Sequence, residues 1–466
     1  MATAYLKRTP SSAGSNTTGT VSAWVKYTTN GDYNTIIGGN EGSSSTDRSL
    51  FAIAAGTDGA IYNQIVDGGT NYYQESTRRL RDPGAWYHIV YQFDTSNAVQ
   101  ADRIKTYVNN ELIDDWQVTA SWPSSVDIKL WDSAASAEYM IGCRKSSSSY
   151  QYFFNGTMAH VYVIDGTVYA PSTFAETDST SGLWVPKTSV SVTYGTNGGF
   201  YKFQDSSNYG DDTSGQGNDM TMVGTITQTK DNPQNNFMTC NPLDNYYPDY
   251  TFDYGNTRIN KVNAGPETFI THSVPMFTGK WYWETKVTAK GSNMNIQFGV
   301  SDRVPDGPSG GGYEGGQYLG YNQYSYGFNL NDGKVYDGNG STSSSYGSAA
   351  AEGDIIGTYL DLDNSKLYFA INGTIQNSGT GISIQPVADT LNGYYLAATG
   401  TNSGATETKT FDHNFGNGYF GTTAVSSGVA DAGGEGTFEY DPSSGTFDGS
   451  SKDFRAVCTN NIATYG

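Results

Sequence analysis

The sequence predicts an all-β protein: two β-sandwich (jelly-roll type) domains joined by a connector, with an irregular C-terminal arm. Three observations carry this. Only 15% of residues are charged, whereas glycine (57) and tyrosine (36) are abundant, a composition suited to short strands between tight turns. Apolar and polar residues alternate over six or more positions in many segments, the period of a half-buried strand. No long amphipathic helical pattern occurs, and the best helical candidate is the short stretch Pro171 to Glu176. A chain of 466 residues exceeds one sandwich core and suits two or three domains.

The first unit is expected over residues 1–170. Val21-Ser-Ala-Trp-Val-Lys-Tyr27 alternates as a strand does, and Asp47 to Ile61 reads as a strand pair around Gly56-Thr-Asp-Gly59. Three further strand segments follow: Trp86 to Asp94, Arg103 to Ile113 with a hairpin turn at Asn109-Asn110, and Phe154 to Asp165. Their "Trp-x-His", "Tyr-Val-Asn-Asn" and "Phe-x-Gly-x-Met-Ala" motifs, in this order, resemble a laminin-G-like domain of the concanavalin A-like lectin/glucanase superfamily. Asn110 stands where that hairpin more often has glycine, and asparagine tolerates the positive φ the turn needs.

Residues 171–250 read as a connector, part of which adds strands to the first sandwich through Phe200, Tyr201 and Phe203. Pro233 and Pro242 would stiffen the approach to the second unit. The string running from Leu183-Trp-Val-Pro186 to Asn241-Pro242 resembles the joint between laminin-G-like and SPRY-like units in bacteriophage virion proteins, especially those of marine phages.

The second sandwich is expected over 251–425. Its centre is Gly353 to Gly373, two apolar runs around Asp361-Leu-Asp-Asn-Ser365, closed by Asn372-Gly373. With Gly279-Lys-Trp-Tyr-Trp-Glu-Thr-Lys-Val287, Ile296-Gln-Phe-Gly-Val300 and Tyr321 to Phe328, this resembles a SPRY (B30.2-like) domain. The resemblance implies a sandwich that binds partners. Residues 426–466 are poor in apolar groups, and isolated Phe438, Tyr440, Phe447 and Phe454 suggest an arm docked on a body or a neighbour.

A net charge of −20 opposes contact with nucleic-acid backbones. No stretch reaches the roughly 18 apolar residues of a membrane helix, so no membrane insertion is expected. Cys143, Cys240 and Cys458 are too few and too scattered for a disulfide framework or a cysteine-based zinc site, and they read as buried thiols made in a reducing cytoplasm.

Catalysis is not expected. A retaining glycosidase needs two carboxylates about 5 Å apart, but the sequence has no Glu-x-Asp-x-x-Glu. Asp361 and Asp363 read as turn formers, and Glu284 has no partner carboxylate nearby in sequence. His88, His160, His272 and His413 lack the close spacing of a zinc motif. The metal candidate is calcium, on Asp205, Asp211, Asp212 and Asp219, which crowd one loop with Asn218; an acidic solvated turn is the plainer alternative.

Two aromatic clusters are the candidate binding surfaces. One is Tyr313, Tyr318, Tyr321, Tyr324 and Tyr326 in the SPRY-like unit; the other is Tyr72, Tyr73, Trp122, Trp131, Tyr150 and Tyr152 in the first. Tyrosine and tryptophan rings stack on sugars and also fill protein interfaces, whereas strand alternation would send some of them into a core. The combined expectation is a non-enzymatic structural protein of a bacteriophage particle: a tail fibre, capsid knob or decoration. It is made in the host cytoplasm, resides in the virion, and self-associates. Its partners are other virion proteins and host-surface polysaccharide. A bacterial carbohydrate-binding module protein and, behind it, a glycan hydrolase are the alternatives.

Overall fold

The structure, a computed structural model, describes residues 3–28, 33–42, 45–54, 59–134, 137–244, 250–261, 268–291, 295–303, 318–338, 342–401 and 408–466. The chain divides into two compact units, Met1–Gln228 and Thr229–Gly466. The boundary between them falls inside the segment read as a connector, 171–250.

The first unit is a sandwich of antiparallel sheets. One has eight strands, in the order Trp116–Val118, Thr70–Arg79, Ala60–Asp67, Arg48–Ala54, Asn34–Asn40, Glu138–Ile141, Tyr5–Arg8 and Thr221–Val223. The other has six: Gly199–Tyr201, Gly156–Asp165, Thr18–Tyr27, Tyr87–Asp94, Ile104–Val108 and Glu111–Leu112. Val21, Ala23 and Val25 point inward with Phe51, Ile53, Ile61, Ile65, Ile89, Tyr91 and Phe93. Trp24, from the alternate set, points outward and stacks on His88 at 4.8 Å. The chain after residue 170 covers that outer face, and Trp184 Nε1 donates to His88 Nδ1 at 3.0 Å. Burial lowers the His88 pKa to about 3, so this histidine is a neutral, hydrogen-bonded core residue. Asn109 and Asn110 both take positive φ (48° and 70°), which turns Ile104–Val108 into Glu111–Leu112.

The second unit is also a sandwich. Its larger sheet runs Tyr250–Asp253, Arg258–Lys261, Lys409–Asn414, Lys280–Ala289, Ile355–Asp361, Lys366–Ile371 and Thr374–Ile375. The smaller runs Thr268–Met276, Tyr395–Thr401, Ile296–Ser301, Ser325–Asn329, Lys334–Tyr336 and Ser343–Ser345. The central hairpin pairs Leu360 with Leu367 and Tyr359 with Tyr368. Asp361 accepts from Asn364 N at 3.0 Å and Asn364 Nδ2 at 2.8 Å, which closes the turn. Asp363 accepts from Gly279 N at 2.9 Å and Lys280 Nζ at 3.0 Å. Asp361 is thus a turn former, whereas Asp363, read from the sequence as one too, instead ties the turn to the start of the Lys280–Ala289 strand.

Alternation splits Lys280-Trp-Tyr-Trp-Glu284 between two cores. Trp281 and Trp283 face the smaller sheet. Tyr282, Tyr359 and Tyr368 face outward, where Phe438, Phe447, Phe454 and Ala456 bury them. The C-terminal arm thus docks on its own sandwich and builds a second core there. Arg455–Ala456 pairs in parallel with Trp281 and Tyr282, and the arm ends in the α-helix Thr459–Tyr465, which the sequence reading missed. Glu284, fully buried, ties the arm down. Its carboxylate accepts from Glu439 N at 2.9 Å, Tyr440 N at 2.8 Å, Tyr282 Oη at 3.0 Å and Asn414 Nδ2 at 3.1 Å. Burial is the largest influence on this carboxyl and outweighs the four donors, raising its pKa to about 7. Tyr282 is the partner that can reverse its role and accept when the carboxyl is protonated.

Two outcomes follow from this packing. Deleting 426–466 should abolish or sharply lower the second unit's calorimetric transition and leave that of the first, because three buried phenyl rings worth about 1.5–3 kcal/mol each are lost. Glu284→Gln should cost about 1–3 kcal/mol, since its amide NH2 would face a backbone donor. The wild-type carboxyl holds its proton more tightly folded than unfolded. Its stabilising contribution is therefore complete below about pH 4.5 and lost as pH rises through about 7. Denaturant titrations across that window should show the decline in the wild type and a flatter profile in Glu284→Gln.

Candidate functional site

The aromatic residues singled out in the sequence fall into three groups. Trp122 and Trp131 are core residues of the first unit. Tyr72 and Tyr73 lie on the Thr70–Arg79 strand, so they point to opposite faces. Tyr72 packs against the first core, which corrects its assignment as a binding residue. Tyr73 is 37% exposed on the outer face. In the second unit, Tyr313 lies outside the described residues. Tyr318 is only 7% exposed and packs edge-on to Tyr321 and Tyr336 at 5.3 and 5.2 Å. It is a packing residue, not an open ring. Tyr326 is buried as well, and its hydroxyl accepts from Gln385 N at 3.0 Å. Tyr321 and Tyr324 remain partly exposed, and Tyr324 holds a positive φ of 68°.

The four aspartates expected to bind calcium do not converge among the described residues. Asp212 Oδ1 accepts from Phe200 N and Ser214 N, and its Oδ2 from Asn218 N, each at 2.9 Å. Asp219 accepts from Asp212 N at 2.9 Å, and exposed Asp205 accepts from Ser207 N at 2.8 Å. Asp211 is half-buried on the same loop. Asp212 and Asp219 shape the turn that delivers Gly199–Tyr201 to the sheet, and backbone N–H groups fill both oxygens of Asp212. Glu41, Asp127 and Asp132 do approach one another. There the Lys129 ammonium already sits 2.9 Å from Glu41 and 3.3 Å from Asp127.

Among the described residues, the outer face of the eight-stranded sheet carries a small buried cluster capped by tyrosine rings. The floor is made of small residues, Ala52, Ala54 and Ala60, beside Leu50 and Tyr62. Across the strands Ala52 pairs with Tyr62 and Tyr62 with Glu75; one row further, Leu50 pairs with Gln64 and Gln64 with Tyr73. Four rings form a continuous ladder on this floor. Tyr73 stacks on Tyr62 at 5.7 Å, Tyr62 meets Tyr33 at 4.8 Å, and Tyr33 meets Tyr152 at 4.8 Å.

Charged and amide groups border the ladder. The Arg144–Ser146 and Ser149–Gln151 hairpin packs over Asn34–Asn40 and Arg48–Ala54. It places the Arg144 guanidinium 4.3 Å from the Tyr152 ring centre. Arg144 donates to Gln64 Oε1 at 3.0 Å and Gln151 Oε1 at 3.2 Å. The Nε groups of Arg144 and Arg48 are buried without a partner among the described residues. Tyr152 has a positive φ of 54°, an uncommon backbone state for a bulky residue that is often tied to function. Burial raises the pKa of both Tyr33 and Tyr62, so these two hydroxyls keep their protons near neutrality.

Sequence reasoning had Tyr73 and Tyr152 but missed Tyr33, Tyr62, Arg48 and Arg144. Tyr62 was findable, because it sits opposite in phase to the core residues Ile61 and Ile65. Arg144 was not, because only the folded hairpin brings it to this face.

Comparison with known proteins agrees with this architecture. Residues 2–172 match the concanavalin A-like lectin/glucanases superfamily, laminin G type, and residues 280–407 match the SPRY domain. Ran-binding protein 9 of Homo sapiens is 29% identical over 103 residues, 22% of this chain and 13% of that protein. Ran-binding protein 10 of Danio rerio is likewise 29% identical over 103 residues. The match spans about a sixth of the Danio rerio relatives' length, 16%. Among solved structures, a human SPRY domain is similar at 20% identity, covering 35% of this chain and 94% of that one with a TM-score of 0.27. Stonustoxin covers 38% of this chain and 27% of its own at 15% identity, with a TM-score of 0.29. The chain thus carries a concanavalin A-like domain of the laminin G type in its first unit and a SPRY domain in its second.

Proposed function

We propose that this protein is a non-enzymatic binding protein of a bacteriophage particle, a tail fibre, capsid knob or decoration, whose first unit holds host-surface polysaccharide on the Tyr73–Tyr62–Tyr33–Tyr152 face. The observation that carries the reading is that ring ladder with two arginines beside it. Tyr73, Tyr33 and Tyr152 offer ring faces to the C–H side of a sugar, and Tyr62, 7% exposed, is the buried ring on which Tyr73 and Tyr33 pack. Gln151 and Glu75, both half-buried, offer polar groups to its hydroxyls. The positive charge of Arg48 and Arg144 beside the ladder favours sugars that carry a carboxylate, on a chain whose overall charge would otherwise repel them. One stacked ring contributes on the order of 1 kcal/mol, so self-association and many copies on a particle would raise a weak affinity to a useful one.

A second role, contact with other virion proteins, falls to the SPRY unit. Phe277 is 54% exposed and Leu391 66% exposed, and Phe277 lies 5.9 Å from the Tyr394 ring. The relatives' name, Ran-binding protein, supports protein contact as the work of this domain. A bacterial carbohydrate-binding module protein would share the first role and lack the second.

Two measurements test the proposal. Screening of envelope and capsular glycans, followed by titration calorimetry, should find a ligand whose affinity falls about five-fold in Tyr73→Ala, with unchanged thermal stability. Equal binding by the variant would move the site off this face. Antibodies to the chain should label purified phage particles, and their failure on particles that package normally would remove the virion role while leaving the glycan result intact.

A further inference from the structure

The second unit buries Cys240, His272 and His413 together, with one ligand atom from each within 4.8 Å of the others. They come from three separate places. Cys240 lies in the segment that enters the unit and forms a bridge with His272. His272 sits where the Thr268–Met276 strand slips register. His413 comes from the opposite sheet, on Lys409–Asn414. The two imidazoles meet edge to face at 4.9 Å, and Phe415 lies flat against His413 at 5.3 Å. All three residues are at most 1% exposed.

The hydrogen bonds of the imidazoles are one-sided. His272 Nε2 is bonded to Thr399 Oγ1 at 3.2 Å, and His413 Nδ1 to Thr285 Oγ1 at 2.9 Å. The other nitrogens, His272 Nδ1 and His413 Nε2, have no partner among the described residues. Two orphaned imidazole nitrogens in one apolar core are a cost with no return in the metal-free state. A hydroxyl on one ring nitrogen, with the other left unpartnered, is the arrangement that orients a ligating histidine.

We propose that Cys240, His272 and His413 form a three-coordinate site for a soft monovalent metal ion, copper(I). Thiolate and imidazole ligands suit copper(I) and zinc(II) alike; charge separates the two. One thiolate, two neutral imidazoles and a monovalent cation sum to zero. A divalent ion would leave a net positive charge in this core, at several kcal/mol, and would need a fourth ligand. The neighbouring carboxylates are engaged elsewhere: Asp244 accepts from Thr271 N at 2.7 Å, and Asp412 from Arg258 Nη2 at 2.6 Å. Binding forms one Cu–S and two Cu–N bonds and releases the thiol proton to solvent, with no change of oxidation state. Bond lengths of about 2.0–2.3 Å place three such donors roughly 3.6–3.8 Å apart, so the cluster need close by no more than about an ångström.

The test uses the full chain, reduced and anaerobic, with copper(I) supplied from a coloured chelator. The chain should withdraw one copper per molecule. X-ray absorption should find one sulfur and two nitrogen neighbours, a count that needs no variant. Cys240→Ser and His413→Gln should weaken uptake at least ten-fold. Cys143→Ser and Cys458→Ser, which alter the other two buried thiols, should leave it unchanged. Absence of stoichiometric uptake, uptake that persists in folded Cys240→Ser, a copper neighbour count lacking sulfur, or preferential loading with zinc(II) would each overturn the assignment.

Discussion

The burial of Glu284 sets the terms for the second unit. A carboxyl with no access to water is tolerable only when its lone pairs are filled, and two of its four donors are backbone N–H groups of the arm, at Glu439 and Tyr440. Remove the arm and the sheet is left with a carboxyl stripped of two donors and with three tyrosines facing solvent. Keep it, and the Lys280–Ala289 strand has cores on both faces. This explains a segment as apolar as Trp281-Tyr-Trp283 in an antiparallel sheet, where one polar face is the norm. The SPRY domain of this chain is a sandwich with a third, irregular layer.

Much of the fold was legible from the sequence because strands advertise themselves locally. The period of two, the Asn-Asn and Asn-Gly turns and the Asp361–Ser365 corner each involve residues close in sequence, and they appear as read. The arm was half legible. Its sparse phenylalanines signalled docking, but composition has no term for where an arm docks. Its short helix, Thr459–Tyr465, carries no apolar stripe long enough to register.

The sites were less legible, for three physical reasons. Adjacent strand residues face opposite ways, so Tyr72 and Tyr73 could not both serve one surface. Loop aspartates satisfy backbone donors as readily as they bind cations, and Asp212 and Asp219 do the former. The third reason is distance along the chain. Tyr33, Tyr62, Arg144 and Tyr152 converge from four segments, as Cys240, His272 and His413 do from three. Spacing rules search for neighbours, and a sandwich makes neighbours of residues more than a hundred positions apart.

The pairing of Trp281 and Tyr282 with Arg455 and Ala456 also orders events in time. A ribosome delivers the central strand of this sheet well before the segment that lies beside it. Through that interval the outward tyrosines and the Glu284 carboxyl have no cover, while the first unit, whose strands all precede residue 229, is free to close. Folding of the nascent chain is therefore staggered, and the interval exposes an aromatic sheet face to the same face on neighbouring nascent chains. The net charge of −20 opposes such contacts, because like-charged copies repel one another.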